Sequence, residues 1–168
     1  MSIILKKALV REPNKSISKA ISSKNLKPLY EKILTAHKMY TESLKNSNLD
    51  VNILNPLEEF PDSIFIEDPA IIYKEFCIFL KSGQKTRIGE IEALEVDLKK
   101  YFKEFFYIKQ GIIEGGDVLR INDKFIIGLS KRTNKKGAIQ LSKILRFLGA
   151  SVKIFITPKD ILHLKSEC

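Results

Sequence analysis

Apolar residues recur along this chain in two rhythms, every second position in short runs and every third or fourth in longer ones, with Gly, Pro or polar clusters between them. Residues 3–10 predict a first strand, closed by the polar loop 11–15, where Pro13 breaks regular structure. Residues 16–27 are Ser- and Lys-rich around Ile17, Ile21 and Leu26, and read as a surface connection or a mobile lid. Pro28 opens a helix with Leu29, Ile33, Ala36, Tyr40 and Leu44 at helical spacing. His37 falls on that face and reads as a packed or hydrogen-bonded scaffold residue. Residues 51–54 predict a short strand and residues 64–68 another, whose alternation sends Ile64, Ile66 and Asp68 to one side and Phe65 and Glu67 to the other. Residues 76–80 predict a strand, and residues 87–105 a helix with Ile91, Leu94, Leu98, Tyr101, Phe102 and Phe105 along its buried stripe. Residues 118–121 and 125–129 flank the polar turn Asn122-Asp123-Lys124, a hairpin signal. A third helix spans residues 135–148 and closes at Gly149, and residues 152–156 predict a last strand.

The predicted helices start near residues 28, 87 and 134, a loose repeat of strand pairs each followed by a helix. Hairpins between the helices argue against a purely parallel sheet. At 168 residues the chain is expected to be one domain, residues 1–168, long enough to bury a real core. No apolar run approaches the roughly 20 residues of a membrane span. The N-terminus places its apolar residues before its lysines, the wrong order for a signal peptide, so a cytoplasmic location is expected. The formal charge of +9 comes from lysines scattered along the chain, without a basic stripe interleaved with aromatics, and argues for neither nucleic acid nor membrane as partner. The two cysteines, Cys77 and Cys168, offer no disulfide framework and no metal-ligand spacing, and no phosphate-binding glycine motif is present; no cofactor is expected.

Candidate chemistry concentrates in residues 111–134. Glu114 and Asp117 bracket Gly115-Gly116, where the backbone is free to bend, and Arg132 lies just before a helix. A carboxylate and a guanidinium at the rims of neighbouring strands can hold opposite ends of a zwitterionic ligand; a tight turn with surface charges gives the same pattern. Asp68 is the second candidate. Expected on an apolar face at a strand end, ahead of Pro69, it requires a cation or donors to satisfy it, whether from a ligand or a structural ion pair.

Four stretches in order resemble the dimethylarginine dimethylaminohydrolases, within the superfamily of guanidine-modifying enzymes that includes arginine deiminases and amidinotransferases. They are Pro61-Asp62 with Phe65-Ile66-Glu67-Asp68, Glu114-Gly115-Gly116-Asp117-Val118-Leu119, Gly128-Leu129-Ser130-Lys131-Arg132-Thr133-Asn134, and Leu162-His163-Leu164-Lys165-Ser166. The resemblance implies an α/β fold, an incomplete five-bladed propeller (pentein) of about three ββαβ modules. It also implies hydrolysis of methylated arginine to citrulline and a methylamine, in which a thiolate attacks the guanidinium carbon and a histidine moves the protons. By position, His163 is the implied acid/base, oriented by Glu114. Asp68 grips the guanidinium with Asp62 and Glu67 close by, Arg132 and Arg87 bind the substrate carboxylate, and Ile21 is a lid contact.

The family's nucleophilic cysteine lies in modules beyond the Leu-His-Leu-Lys-Ser stretch. Cys77 is predicted to be buried and Cys168 does not match the nucleophile's position. The chain is therefore expected to be the N-terminal portion of such a domain, with a second chain as one source of the remaining modules. The alternatives are arginine deiminase-like action on unmethylated arginine, and a non-catalytic arginine-binding role.

Overall fold

The structure is a computed structural model that describes residues 5–22 and 27–167. The start of the expected first strand (Ile3, Ile4), Leu26 of the expected lid and Cys168 lie outside the described residues. The chain divides into two compact units, Met1–Ile66 and Glu67–Cys168. Its α/β class is as expected.

In the first unit, β1 (Lys7–Arg11) runs parallel to β2 (Asp50–Leu54), in register from Lys7 with Asp50 to Arg11 with Leu54. A parallel pair needs a long crossover. A short 3-10 turn, Lys15–Lys19, and helix α1, Tyr30–Asn46, lie along it. The helix starts two residues after Pro28, because the apolar spacing marks a face rather than an end. Its inward stripe is also rotated from expectation. His37 and Thr41 are buried, with Ile33, Leu34 and Leu44 beside them, whereas Leu29, Ala36 and Tyr40 are exposed.

The strand expected over residues 64–68 does not form; residues 61–64 and 66–69 are turns. The carbonyls that a strand would offer to a neighbour are used locally. Phe60 and Asp62 accept from the amides of Ser63 and Phe65 at 3.0 Å each. The buried Asn14 amide donates to the carbonyls of Leu57 (3.0 Å) and Phe60 (2.9 Å) and to Ser63 Oγ (3.1 Å), pinning the turn.

The second unit contains two modules of one topology. In the first, β3 (Ala70–Tyr73) pairs antiparallel with β4 (Phe76–Phe79), helix α2 (Glu90–Leu98) follows, and β5 (Glu104–Tyr107) returns parallel to β4. In the next, β6 (Val118–Ile121) pairs antiparallel with β7 (Lys124–Leu129), helix α3 (Lys135–Phe147) follows, and β8 (Ser151–Ile156) returns parallel to β7. The turn Asn122-Asp123 joins β6 to β7, with Asn122 at φ 54°, a conformation Asn tolerates. Asn134 caps α3 by accepting the Gly137 amide at 3.0 Å.

The helix expected to reach residue 105 ends at Leu98, and the segment after it is a strand. Phe105 and Tyr107 stack on Phe79 at 5.8 and 5.3 Å between ring centroids, while Phe106 meets Phe76 at 5.8 Å. That two-residue alternation is concealed in a run of consecutive aromatics. The shared core joins both modules: Tyr73, Ile78, Leu80 and Ile108 from one, and Phe125, Ile127, Leu141 and Leu145 from the other.

Candidate active site

The entry to β6 is a crossroads of close approaches. A Cβ on Gly115 would lie 1.9 Å from the Glu67 carbonyl oxygen, and one on Gly116 would lie 2.7 Å from the His163 ring. Glycine at both positions lets the backbone of Glu67-Asp68 and the His163 imidazole close in on the same turn. The Gly115 amide donates to the Asp68 carbonyl at 3.0 Å, and the Gly116 amide donates to Asp68 Oδ1 at 3.0 Å.

Around that turn the second unit gathers Asp68, Arg87, Glu114, Arg132 and His163. Glu114 is fully buried, and its carboxylate accepts from Ser82 Oγ and from Arg132 Nη1 at 3.0 Å. Asp68 accepts from Arg87 Nη1 at 2.7 Å. Arg87 also donates Nε and Nη2 to the two carboxylate oxygens of Glu90, at 2.6 and 2.8 Å. Asp68, Glu114 and His163 each offer one ligand atom within 4.8 Å of the others.

His163 lies between two acids. Its Nε2 is 3.6 Å from Glu114 Oε2 and its Nδ1 is 3.6 Å from Asp117 Oδ2, distances of ion pairing rather than of good hydrogen bonds. The Asp117 carboxylate beside it raises the imidazole's pKa, against the opposing effect of burial, with Asp68 and Glu114 adding to the rise. Asp117 is itself completely buried, and burial favours its neutral form. That effect is outweighed by His163, by the hydroxyls of Ser130 and Thr133 at 2.6 Å each, and by the Leu164 amide at 3.1 Å, so its pKa falls below the ordinary carboxylate value.

Four carboxylates (Asp68, Glu90, Glu114, Asp117) therefore meet two guanidinium groups (Arg87, Arg132) in a region largely withdrawn from solvent. With His163 neutral the cluster is formally anionic, which favours a cationic ligand and a protonated imidazole.

Of the other expected site residues in the second unit, Glu67 lies outside this cluster. Glu67 turns its largely exposed carboxylate to Lys165 Nζ at 2.9 Å. Ile21 and Asp62 belong to the first unit, where the Ile21 amide donates to Asp62 Oδ1 at 3.0 Å. There Ile21 also lines an apolar cavity of about 380 Å³ with Ile17, His37, Tyr40, Ile64 and Phe65. Burial lowers the pKa of His37 in that cavity, against the opposing charge of Glu12 and the backbone of Arg11. Arg87 is buried among acids, and Arg132 is paired with one. Sequence reasoning missed Glu90, Ser82, Ser130 and Thr133, and it noted Asp117 without giving it a role. Three-residue spacing on a helix start is the one signal that could have coupled Arg87 to Glu90.

Known proteins resemble this chain over most of its length. A family model described as arginine deiminase matches residues 96–159. The chain is 35% identical to an N(G),N(G)-dimethylarginine dimethylaminohydrolase of Pseudomonas aeruginosa over 166 residues, 97% of this chain and 65% of that relative. It is 29% identical to the enzyme of the same name from Streptomyces coelicolor, over 96% of this chain and 63% of that one. The chain thus spans less than two thirds of the length of either. Among solved structures, the Pseudomonas aeruginosa protein complexed with citrulline superposes with a TM-score of 0.92 at 33% identity, covering 96% of this chain and 64% of that one. The N-terminal domain of a cyanobacterial arginine dihydrolase, ArgZ, superposes at 0.80 with 17% identity, over 93% of this chain and 59% of that one, a likeness of fold alone.

Proposed function

The chain belongs to the guanidine-modifying superfamily, of pentein fold, that holds the dimethylarginine dimethylaminohydrolases, and on that premise we propose that it binds the guanidinium of N-omega-methylated arginine and serves its hydrolysis to citrulline and a methylamine. The observation that carries the proposal is the formally anionic cluster in which Asp68, Glu114 and His163 converge within 4.8 Å. In this reading Asp68 holds the planar cation. A thiolate adds to the guanidinium carbon, and the methylamine departs with a proton from His163. Water then gives His163 a proton as it displaces the thiolate, and citrulline is released. Glu114 orients the imidazole. The neighbouring acids supply the rise in its pKa that keeps it ready to donate.

Cys77 is unsuited to be the thiolate. It is completely buried, and burial pushes its pKa up to about 12, with the charge of Glu95 adding to the shift. The proposal therefore takes the thiol from residues other than those described, with a second chain carrying further modules as one source. Ile21, Asp62 and Glu67 enter as substrate contacts through the family likeness, and Arg132 as the partner of the substrate carboxylate.

Calorimetry tests this directly. The chain is expected to bind methylarginine and citrulline, and to lose that binding in Asp68→Ala, without releasing citrulline by itself. Absence of any binding would remove the proposal, and turnover by the isolated chain would show that the source of the thiol is wrong. The match of residues 96–159 to the arginine deiminase model favours unmethylated arginine as the second substrate reading. Relative affinities for arginine and dimethylarginine decide between them. The burial of Cys77 favours the third, a binding role without catalysis.

A further inference from the structure

Glu114 is held from two modules. Its backbone lies in the loop that opens β6, where its amide donates to Thr133 Oγ1 at 3.3 Å. Its completely buried carboxylate is reached from the preceding module by Ser82. Arg132 Nη1 sits astride both carboxylate oxygens, 3.3 Å from Oε1 and 3.0 Å from Oε2. One group shared between two oxygens does little to fix the rotation of the carboxylate. Ser82 distinguishes them: its hydroxyl donates to Oε1, which leaves Oε2 as the oxygen 3.6 Å from His163 Nε2.

The turn at Ser82 is built for this contact. Just before it, the Leu80 amide donates to the Pro69 carbonyl at 2.8 Å, and the Lys81 carbonyl accepts the Ile113 amide at 2.8 Å. The exit of β4 therefore runs alongside the residue that precedes Glu114. Ser82 Oγ accepts the Gln84 amide at 3.1 Å. A serine hydroxyl has one proton to give, and here it goes to Glu114. A hydrogen bond to an ionised acceptor is about twice as strong as one between neutral groups, and a buried carboxylate cannot replace a lost donor with bulk water.

We infer that Ser82 is a positioning residue whose hydroxyl sets the rotation of the Glu114 carboxylate, so that Glu114 presents Oε2 to the His163 imidazole. The inference rests on the proposed reading in which Glu114 orients His163 for guanidinium hydrolysis. It adds to that pair a residue of the preceding module that acts through Glu114.

The test needs no ligand. The titration of the His163 ring is followed by NMR in the intact chain, assigned against His37, the other of its two histidines. Ser82→Ala and Ser82→Gly both remove the hydroxyl. The carboxylate is then free to turn, its charge is withdrawn from the ring, and the His163 midpoint is expected to fall by about half a pH unit or more. Ser82→Thr keeps a hydroxyl and is expected to keep the midpoint of the unmodified chain. Thermal unfolding confirms that each variant is folded, and should Ser82→Ala or Ser82→Gly fail to fold, the other decides. A midpoint that stays or rises in a folded variant lacking the hydroxyl overturns the inference, and so does an equal fall in Ser82→Thr. Calorimetry with L-arginine on the unmodified chain separates the inference from the reading it rests on. Should the chain bind no L-arginine while His163 responds as expected, the guanidinium reading fails and the positioning role stands. Should it bind while the His163 midpoint is indifferent to the hydroxyl, the positioning role fails alone.

Discussion

The two ββαβ modules of the second unit repeat one plan and use it differently. In each, a serine after the hairpin's second strand accepts the amide two residues on and donates its hydroxyl to a buried acid. Ser82 accepts from Gln84 at 3.1 Å and donates to Glu114. Ser130 accepts from Arg132 at 2.9 Å and donates to Asp117 at 2.6 Å. The Ser130 turn serves its own module, whereas the Ser82 turn reaches into the next one. The loop that opens β6 is consequently gripped from both sides, and the acids collect there. The helices differ in the same sense. Helix α2 buries Glu90, Leu94 and Leu98, whereas α3 buries five residues and sends Gln140 back to the end of β5, where its Oε1 accepts the amides of Lys109 and Gln110. The chemistry lies where one module's exit is tied to the next module's entrance.

The largest effects should come from the core that ties them. Leu141→Ala removes a completely buried side chain from the cluster shared by both modules and is expected to cost about 2–5 kcal/mol. Leu94→Ala, outside that cluster, is expected at the lower end of the same range. Urea unfolding measures both, and equal losses would deny α3 its linking role. Smaller effects are expected at the crossroads. Gly116→Ala crowds the His163 side chain and should cost about 1–3 kcal/mol, with Gly115→Ala at the upper end because its obstacle is backbone. Crystal structures of the two variants would reveal which neighbour moves.

The serine comparison is finer still. Ser82→Ala and Ser130→Ala should each cost about 1 kcal/mol in urea unfolding. Only Ser82→Ala should also weaken arginine binding by calorimetry, because its acid borders the proposed ligand. Equal weakening by both would erase the distinction between the two turns. The smallest expected effect is on pH dependence. The folded state raises the pKa of His163 above its ordinary 6.5, so the stabilisation from the protonated ring is complete below 6.5 and is lost as pH rises through the raised value. The urea midpoint should decline over that window. Asp117→Asn, which removes the first cause of the shift, should flatten the decline.

Much of this plan was readable in advance where the signal is local. The β6–β7 hairpin and α3 carry their own turn residues, cap and closing glycine, and they formed within a residue or two of expectation. The segment after Leu98 was misread because consecutive aromatics satisfy a helical stripe and an alternating one equally; the stacking of Phe105 and Tyr107 on Phe79 decides it, and that partner is distant in sequence. The turns at residues 61–69 escaped for a related reason, since the Asn14 amide that pins part of them lies more than forty residues away. Glu114, Asp68 and His163 stand out in the sequence through their motifs, and the structure brings them within 4.8 Å of one another. Ser82, 32 residues from Glu114, and Thr133, 16 from Asp117, announce nothing in sequence because a hydroxyl in a turn is commonplace.

The burial of Cys77 has a practical corollary. A thiol inside the β4 strand with its pKa pushed up to about 12 is nearly inert to alkylating reagents while the sheet is closed, and becomes ordinary once it opens. The rate at which a reagent labels Cys77, located by mass spectrometry, thus supplies a native clock for opening of the second unit. No probe has to be engineered into the chain.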